Sequence, residues 1–404
     1  MDLPRIRKTS DQFGRYYTDQ SVASVLVSAI DECYVKSVID LGAGDGALLS
    51  EAKKRWDQAQ LIAVDIDKGA NIFDAKSLLG NGVKTCVADA LCEDIDTKLG
   101  LKFGSVDLAL CNPPYIKAKW RKHFSEIMED AGLSGVISKI DSTPSELLFV
   151  AQNIRFLKSA GVLALILPDG LISGEKFCDF RRALIQEHCL SRVIELPRRI
   201  FKKTDAKAHI VVIKKNCGPS EGVLVQSLQR EGAISDSIYV PADKGIRRLD
   251  YTYHSSGVGL DRSPLALRDV SLGVRRGRVS SVELFNFDWP VFHITDLSEH
   301  MKFVPKKFIV KDGIDLPRNL VTADHGDILI SRVGRNLERK VVIVDGGRVP
   351  ISDCILSLKV KEGFRKQVFE LLKSGQGRLA LHAISHGVGA RFITVDSLLD
   401  ITIP

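Results

Sequence analysis

No apolar stretch in the 404 residues approaches the roughly 18 that a membrane-spanning helix needs. The opening Met1 to Lys8 is polar and leads into no apolar run, so a secretory leader is not expected. Eight cysteines are scattered and none forms a Cys-x-x-Cys pair, which removes support for zinc-ribbon and thioredoxin-type chemistry. Reduced, mostly buried thiols in a cytoplasmic protein are the expectation. There is no Gly-x-x-x-x-Gly-Lys-Ser/Thr loop for a nucleotide-driven motor and no His-Glu-x-x-His or other metal-ligand spacing, so no metal is expected. No Asp…Glu-x-Lys nuclease cluster is found, so any restriction activity would reside in another chain. Repeats and low-complexity tracts are absent as well. The balance of charge, +7 with a pI near 8.9, permits a polyanionic partner without demonstrating one.

What is present is alternation. Val38–Leu41, Leu61–Asp65, Val106–Leu110, Val162–Leu167, Arg192–Leu196 and His209–Ile213 read as strands. Ala47–Trp56, Ser145–Ser159 and Phe177–Glu187 read as helices between them. That order predicts an α/β domain with a mostly parallel sheet. After the turn cluster Asn216–Ser220 the texture changes, and beyond Gly257 strands are short and turns frequent. The expected division is a catalytic domain over 1–220, a connector over 221–256 and a smaller β-rich (α+β) domain over 257–404.

Two constellations carry chemistry. Asp40-Leu41-Gly42-Ala43-Gly44-Asp45-Gly46 lies where a strand turns into a helix, and its glycines allow a tight turn or close approach by a ligand. Asp65 ends the following strand, where a carboxylate can accept both hydroxyls of a ribose; Asp67 is an alternative. Asn112-Pro113-Pro114-Tyr115 follows the strand Val106–Leu110. Two prolines fix the backbone there. The Asn112 amide oxygen and the Pro113 carbonyl can then face one amino group, and Tyr115 offers a ring on which a flat base can stack. Alone, either motif is also compatible with a plain surface turn.

Together they resemble the amino-methyltransferases that use S-adenosylmethionine. The loop Asp40–Gly46 is similar to motif I of that family and Asn112–Tyr115 to motif IV. Phe13-Gly14-Arg15-Tyr16-Tyr17-Thr18 looks like motif X, and Asp89-Ala90-Leu91 stands where motif III is expected. This order resembles the γ-class N6-adenine DNA methyltransferases of restriction–modification systems, over about residues 12–215.

The resemblance implies a Rossmann-like, S-adenosylmethionine-dependent fold and a set of roles. Tyr17, Thr18, Gly42 and Gly44 would line the methionine end of the cofactor, with Asp40 near it. Asp65 would bind the ribose, Ile66 the adenine ring and Asp89 the adenine amino group. Asn112, Pro113, Pro114 and Tyr115 would hold an adenine extruded from double-stranded DNA. The C-terminal part is more loosely similar to target-recognition domains. Its basic, glycine-containing loops Leu272–Arg278, Ile328–Arg335 and Ser385–Arg391 then suggest Arg275, Arg276, Arg278, Arg332 and Arg335 as DNA contacts. A restriction endonuclease on a separate chain is a possible partner. The rival expectations are an N-methyltransferase acting on RNA or on protein glutamine, and a DNA-binding subunit without activity of its own.

Overall fold

The apolar runs of the first half become neighbouring strands of one sheet in the computed structural model. It describes residues 18–73, 83–137, 143–200, 207–256, 265–286, 289–311, 313–317, 320–387 and 390–403. The chain divides into two units, Met1–Tyr251 and Thr252–Pro404.

The first unit carries strands β1 (Ser37–Leu41), β2 (Gln60–Asp65), β3 (Val83–Val87), β4 (Val106–Cys111), β5 (Leu157–Pro168), β6 (Cys189–Glu195), β7 (Ala208–Lys214), β8 (Gly222–Ser227) and β9 (Ile238–Pro241). They form a nine-stranded sheet in the order β3-β2-β1-β4-β5-β7-β6-β8-β9. The pairs among β1 to β5 are parallel, whereas β7 runs against both β5 and β6, and β9 against β8.

Alternation along the strands explains the layers. Ile39, Leu41, Ile62, Val64, Ala109 and Cys111 point into one buried cluster, while Val38, Leu61, Ala63, Leu108 and Leu110 point into another. Successive strand side chains face opposite sides, so a strand covered on both faces reads as a continuous apolar run. The helix Ser145–Phe156 covers the first face through Leu147, Leu148, Val150, Ala151 and Ile154. The helices Gln20–Ser28 and Ala47–Arg55 cover the second through Val22, Leu26, Leu48, Leu49 and Ala52.

Two expectations are corrected here. The helix starting at Ser145 stops at Phe156 because Leu157 is already extended and pairs with Val106 of β4. Residues 221–256 are not a plain connector: β8 joins β6 in parallel and β9 closes the edge. Val223 and Val225 are buried in the main core, so the turn at Asn216–Ser220 punctuates the domain without ending it.

The second unit has a four-stranded antiparallel sheet, β10 (Ser271–Arg276), β13 (Ile355–Val360), β11 (Ile328–Ser331) and β12 (Val341–Ile343) in that order. Two-stranded pairs flank it, and the helices Arg365–Lys373 and Gly375–Ala383 pack Val368, Leu372 and Leu381 into its core. Two stretches expected as basic loops are thus largely strands: Ser271–Arg276 pairs with β13, and Ile328–Ser331 lies between β13 and β12. Among the described residues no helix is long and apolar enough to cross a membrane.

Candidate active site

Strand order reverses at β1, whose neighbours are β2 on one side and β4 on the other. In open α/β sheets the crevice beyond the carboxyl ends of such strands is where ligands bind. The glycine loop leaves β1 at that edge and Asn112 follows β4 there.

The loop's path needs glycine. The backbone takes positive φ at Gly42 (100°), Gly44 (52°) and Gly46 (79°). At Gly46 a Cβ would also come within 2.5 Å of Ile72 Cδ1, so the position is closed on both counts. Gly42 and Ala43 donate to the Val64 carbonyl at 2.8 and 2.9 Å, which binds the loop to the end of β2. The helix Ala47–Arg55 starts directly after it.

The loop bounds a cavity of about 360 Å³ whose wall joins segments far apart in sequence. Asp40, Asp45, Asp65 and Asp89 give it one acidic side; Lys117, Lys119 and Arg121 give it a basic one. Asp65 is buried, and its two oxygens accept from Gly44 N–H (2.8 Å) and Asp67 N–H (2.9 Å). Burial, and then the charge of Asp65, push the Asp40 carboxyl well above the usual carboxylate range. Asp40 Oδ1 is buried and has no hydrogen-bond partner among the described residues. An unpartnered buried carboxyl oxygen on a cavity wall suits a cationic group arriving from the cavity. Ile66 keeps half its surface exposed there, a flat apolar face at the end of β2.

Asp89 makes its own turn by accepting from Leu91 N–H at 2.9 Å, and it pairs with Arg121 at 2.6 Å. The Arg121 guanidinium lies 5.4 Å from the Phe124 ring centroid. Arg121 was not legible in the sequence as a site residue, because its partner sits on the far side of β4.

The Asn-Pro-Pro-Tyr segment is fixed from both ends. Asn112 donates its amide to Thr18 Oγ1 at 3.1 Å. The Ser145 hydroxyl donates to the Pro114 carbonyl at 2.5 Å, and Ser145 N–H donates to the Ile116 carbonyl at 2.9 Å. Ala118 N–H reaches the Thr143 carbonyl at 3.0 Å, and Lys117 bridges Pro144. Tyr115 is half-buried, its hydroxyl 3.5 Å from the Ile166 carbonyl of β5. Beside Ser145, burial lifts the Glu146 carboxyl to about 7, partly offset by its backbone and Ser145 hydrogen bonds.

Thr18, Asp40, Gly42, Gly44, Asp65, Ile66, Asp89, Asn112 and Pro114 therefore share one cavity wall. Pro113 and Tyr115 are not part of that lining, and Tyr17 lies outside the described residues. Beyond this cavity, a buried ionic cluster ends the strands. Lys207 lies within 3.1–3.5 Å of Glu195, Asp169 and Asp250. Burial pulls the Lys207 ammonium down, but those three carboxylates outweigh it and hold the ammonium above its ordinary range.

The arginines proposed from sequence lie in the second unit. Arg275 is bound by Asp324 and Asp327, both at 3.0 Å. Arg276 and Arg332 converge on the Asp353 carbonyl at 3.1 and 2.8 Å. Arg278 and Arg335 are exposed. Among the described residues no group of three or more His, Cys, Asp or Glu is placed to hold a metal.

Strand order, switch-point cavity and Asn-Pro-Pro-Tyr turn together define a Rossmann-like domain of the methyltransferase class. The sequence is more specific: residues 6–237, over half of the chain, match the description of the N-6 DNA methylase family, and the chain belongs to that family. The methylase subunit of the type I restriction enzyme EcoEI from Escherichia coli is 24% identical over 217 residues, 50% of this chain and 42% of the relative. The rRNA N(6)-adenosine-methyltransferase metl-5 of Caenorhabditis elegans is 28% identical over 122 residues, 28% of this chain and 55% of the relative. The chain thus spans about half the length of the curated relatives it matches. The type IIG restriction endonuclease BpuSI has the same fold across 97% of this chain and 59% of its own, with a TM-score of 0.53 and 14% identity.

Proposed function

We propose that the chain transfers a methyl group from S-adenosylmethionine to N6 of an adenine turned out of double-stranded DNA, in a restriction–modification setting. The observation that carries this reading is the opening of the Asn112 turn onto the same cavity as the Gly42–Gly46 loop. S-adenosylmethionine, when bound, supplies a methyl on a positively charged sulfur. The fit rests on the acidic side of the cavity. Asp40, with its unpartnered oxygen, attracts the cationic end, while Gly42 and Gly44 let backbone approach it. Asp65, Ile66 and Asp89 take ribose hydroxyls, adenine face and adenine amino group.

Asn112 and the Pro113 carbonyl accept the two N–H groups of the target adenine, and this turns the nitrogen lone pair toward the cofactor side. Tyr115 supplies the stacking that compensates for lost base stacking. Transfer would form the N6–methyl bond as the sulfur–methyl bond breaks, with S-adenosylhomocysteine as the leaving product and one N6 proton released to water. The contribution of the protein is orientation and a preorganised field. The second unit serves as the target-recognition domain, with Arg278 and Arg335 available to bases or phosphates. Arg275, Arg276 and Arg332 stiffen it through Asp324, Asp327 and Asp353. A nuclease would be a separate chain, as relatives named subunits of type I restriction enzymes suggest.

The test is Asn112→Ala. Transfer to DNA should fall at least ~100-fold, the scale of losing alignment at the reacting centre, while cofactor affinity stays within about twofold. Retained transfer sinks the assignment. Methyl incorporation into RNA alone would favour the second reading, which the likeness to the rRNA enzyme supports.

A further inference from the structure

We propose that Lys117 and Lys119 form a phosphate-binding edge of the cavity that grips the DNA backbone beside the adenine being methylated. This inference rests on the proposed DNA methyl transfer and adds the part of the catalytic unit that holds the polyanion.

Charge is divided around the cavity. The carboxylates lie on the β1, β2 and β3 side, where a cationic cofactor belongs. The cations all come from the segment after the Asn-Pro-Pro-Tyr turn. Of these, Arg121 is already neutralised by Asp89 at 2.6 Å. Lys117 and Lys119 are exposed and have no carboxylate partner among the described residues. These two exposed ammonium groups share the cavity lining with Asn112 and Pro114, where an anion carried by the substrate can meet them. The anion that accompanies a nucleotide in a strand is its phosphodiester.

The backbone of residues 116–118, which carries Lys117 and leads to Lys119, is also fixed. Ser145 N–H binds the Ile116 carbonyl, Ala118 N–H binds the Thr143 carbonyl, and Lys117 bridges Pro144. The Ser145 hydroxyl fixes Pro114 in the same structure. One short ladder therefore sets both the turn that would hold the base and the distance at which the lysines follow it. An ammonium is a point charge with no base preference, so this edge would position DNA without reading it.

The experiment uses the full chain with Lys117→Gln/Lys119→Gln, whose exposed sites tolerate glutamine, and checks folding by thermal melting. DNA affinity is measured by anisotropy on unmethylated duplexes from about 50 to about 300 mM salt. Cofactor affinity is measured by calorimetry. The slope of log affinity against log salt should become shallower by about 2, one for each lost phosphate contact, and affinity should fall by a similar factor on every duplex sequence. Cofactor affinity should remain at the wild-type value. A wild type that methylates DNA beside a variant with an unchanged slope overturns the inference alone. So does weaker cofactor binding with an unchanged slope, which would assign the lysines to a cofactor carboxylate. A wild type that neither binds nor methylates DNA overturns the function and the inference together.

Discussion

Asp65 has two tasks, and replacing it should reveal both. Its oxygens already accept from Gly44 N–H and Asp67 N–H, so the carboxylate shapes the glycine loop before any ligand arrives. Each oxygen has a further lone pair available toward the cavity. Hydrogen bonds to an ionised acceptor contribute about 1.5–3 kcal/mol each, and water entering the space offsets part of that. Asp65→Ala should therefore lower unfolding stability by roughly 2–4 kcal/mol. If the free lone pairs take a ribose, cofactor affinity should fall by about 3–5 kcal/mol, which is roughly 150- to 5,000-fold. The assay is calorimetric titration with S-adenosylhomocysteine, the demethylated product, beside urea denaturation. Asp67→Ala is the control, because Asp67 Oδ1 accepts from Gly69 N–H in its own turn, and its effect on affinity should stay under about 1 kcal/mol. Folded Asp65→Ala protein that binds within about threefold of wild type would rule out a ribose contact at Asp65, and a larger loss in Asp67→Ala would move that contact there.

Ser145→Ala removes the donor to the Pro114 carbonyl, so steady-state kinetics should show kcat falling about tenfold with cofactor affinity unchanged, and Ser145→Thr should recover most of it. An unchanged kcat would mean that the turn holds without the clamp. The Glu146 carboxyl titrates near 7 in the folded protein against an ordinary value of 4.5. The folded chain then keeps a proton that the unfolded chain releases, so this contribution is present below pH 4.5 and lost as pH rises through 7. Between about pH 4.5 and 8 the wild type should lose about 3 kcal/mol relative to Glu146→Gln in chemical denaturation, and parallel curves would contradict it. Lys207→Met removes the cation shared by Asp169, Glu195 and Asp250 while Asp250 keeps Arg248 and Asp169 keeps His209, and denaturation should show a loss of about 3 kcal/mol; a neutral result would mean that those partners, or proton uptake by the carboxylates, replace the ammonium.

The sheet was legible because strands buried on both faces are largely apolar, as Val162–Leu167 is throughout and Val38–Leu41 is apart from Asp40, which lines the cavity. The glycine loop and the Asn-Pro-Pro-Tyr turn were legible because their backbone chemistry is local. Pairing across the fold was not. Nothing near Asp89 in sequence announces Arg121, and nothing near Arg275 announces Asp324 and Asp327. Lys207 follows Lys-Thr-Asp-Ala and reads as solvated, yet it is buried among three acids contributed by separate segments. The strands at Gly222–Ser227 and Ile238–Pro241 were masked by the turn before them, since a turn looks alike within a sheet and between domains.

DNA adenine methylation is tested by transfer of labelled methyl from S-adenosylmethionine to genomic DNA lacking adenine methylation, with RNA and a protein lysate as parallel acceptors. Label is expected in DNA, recovered as N6-methyladenine at a defined sequence, and is expected to be lost in Asn112→Ala. Label confined to RNA or protein, or cofactor binding with no transfer to any of the three, would contradict it.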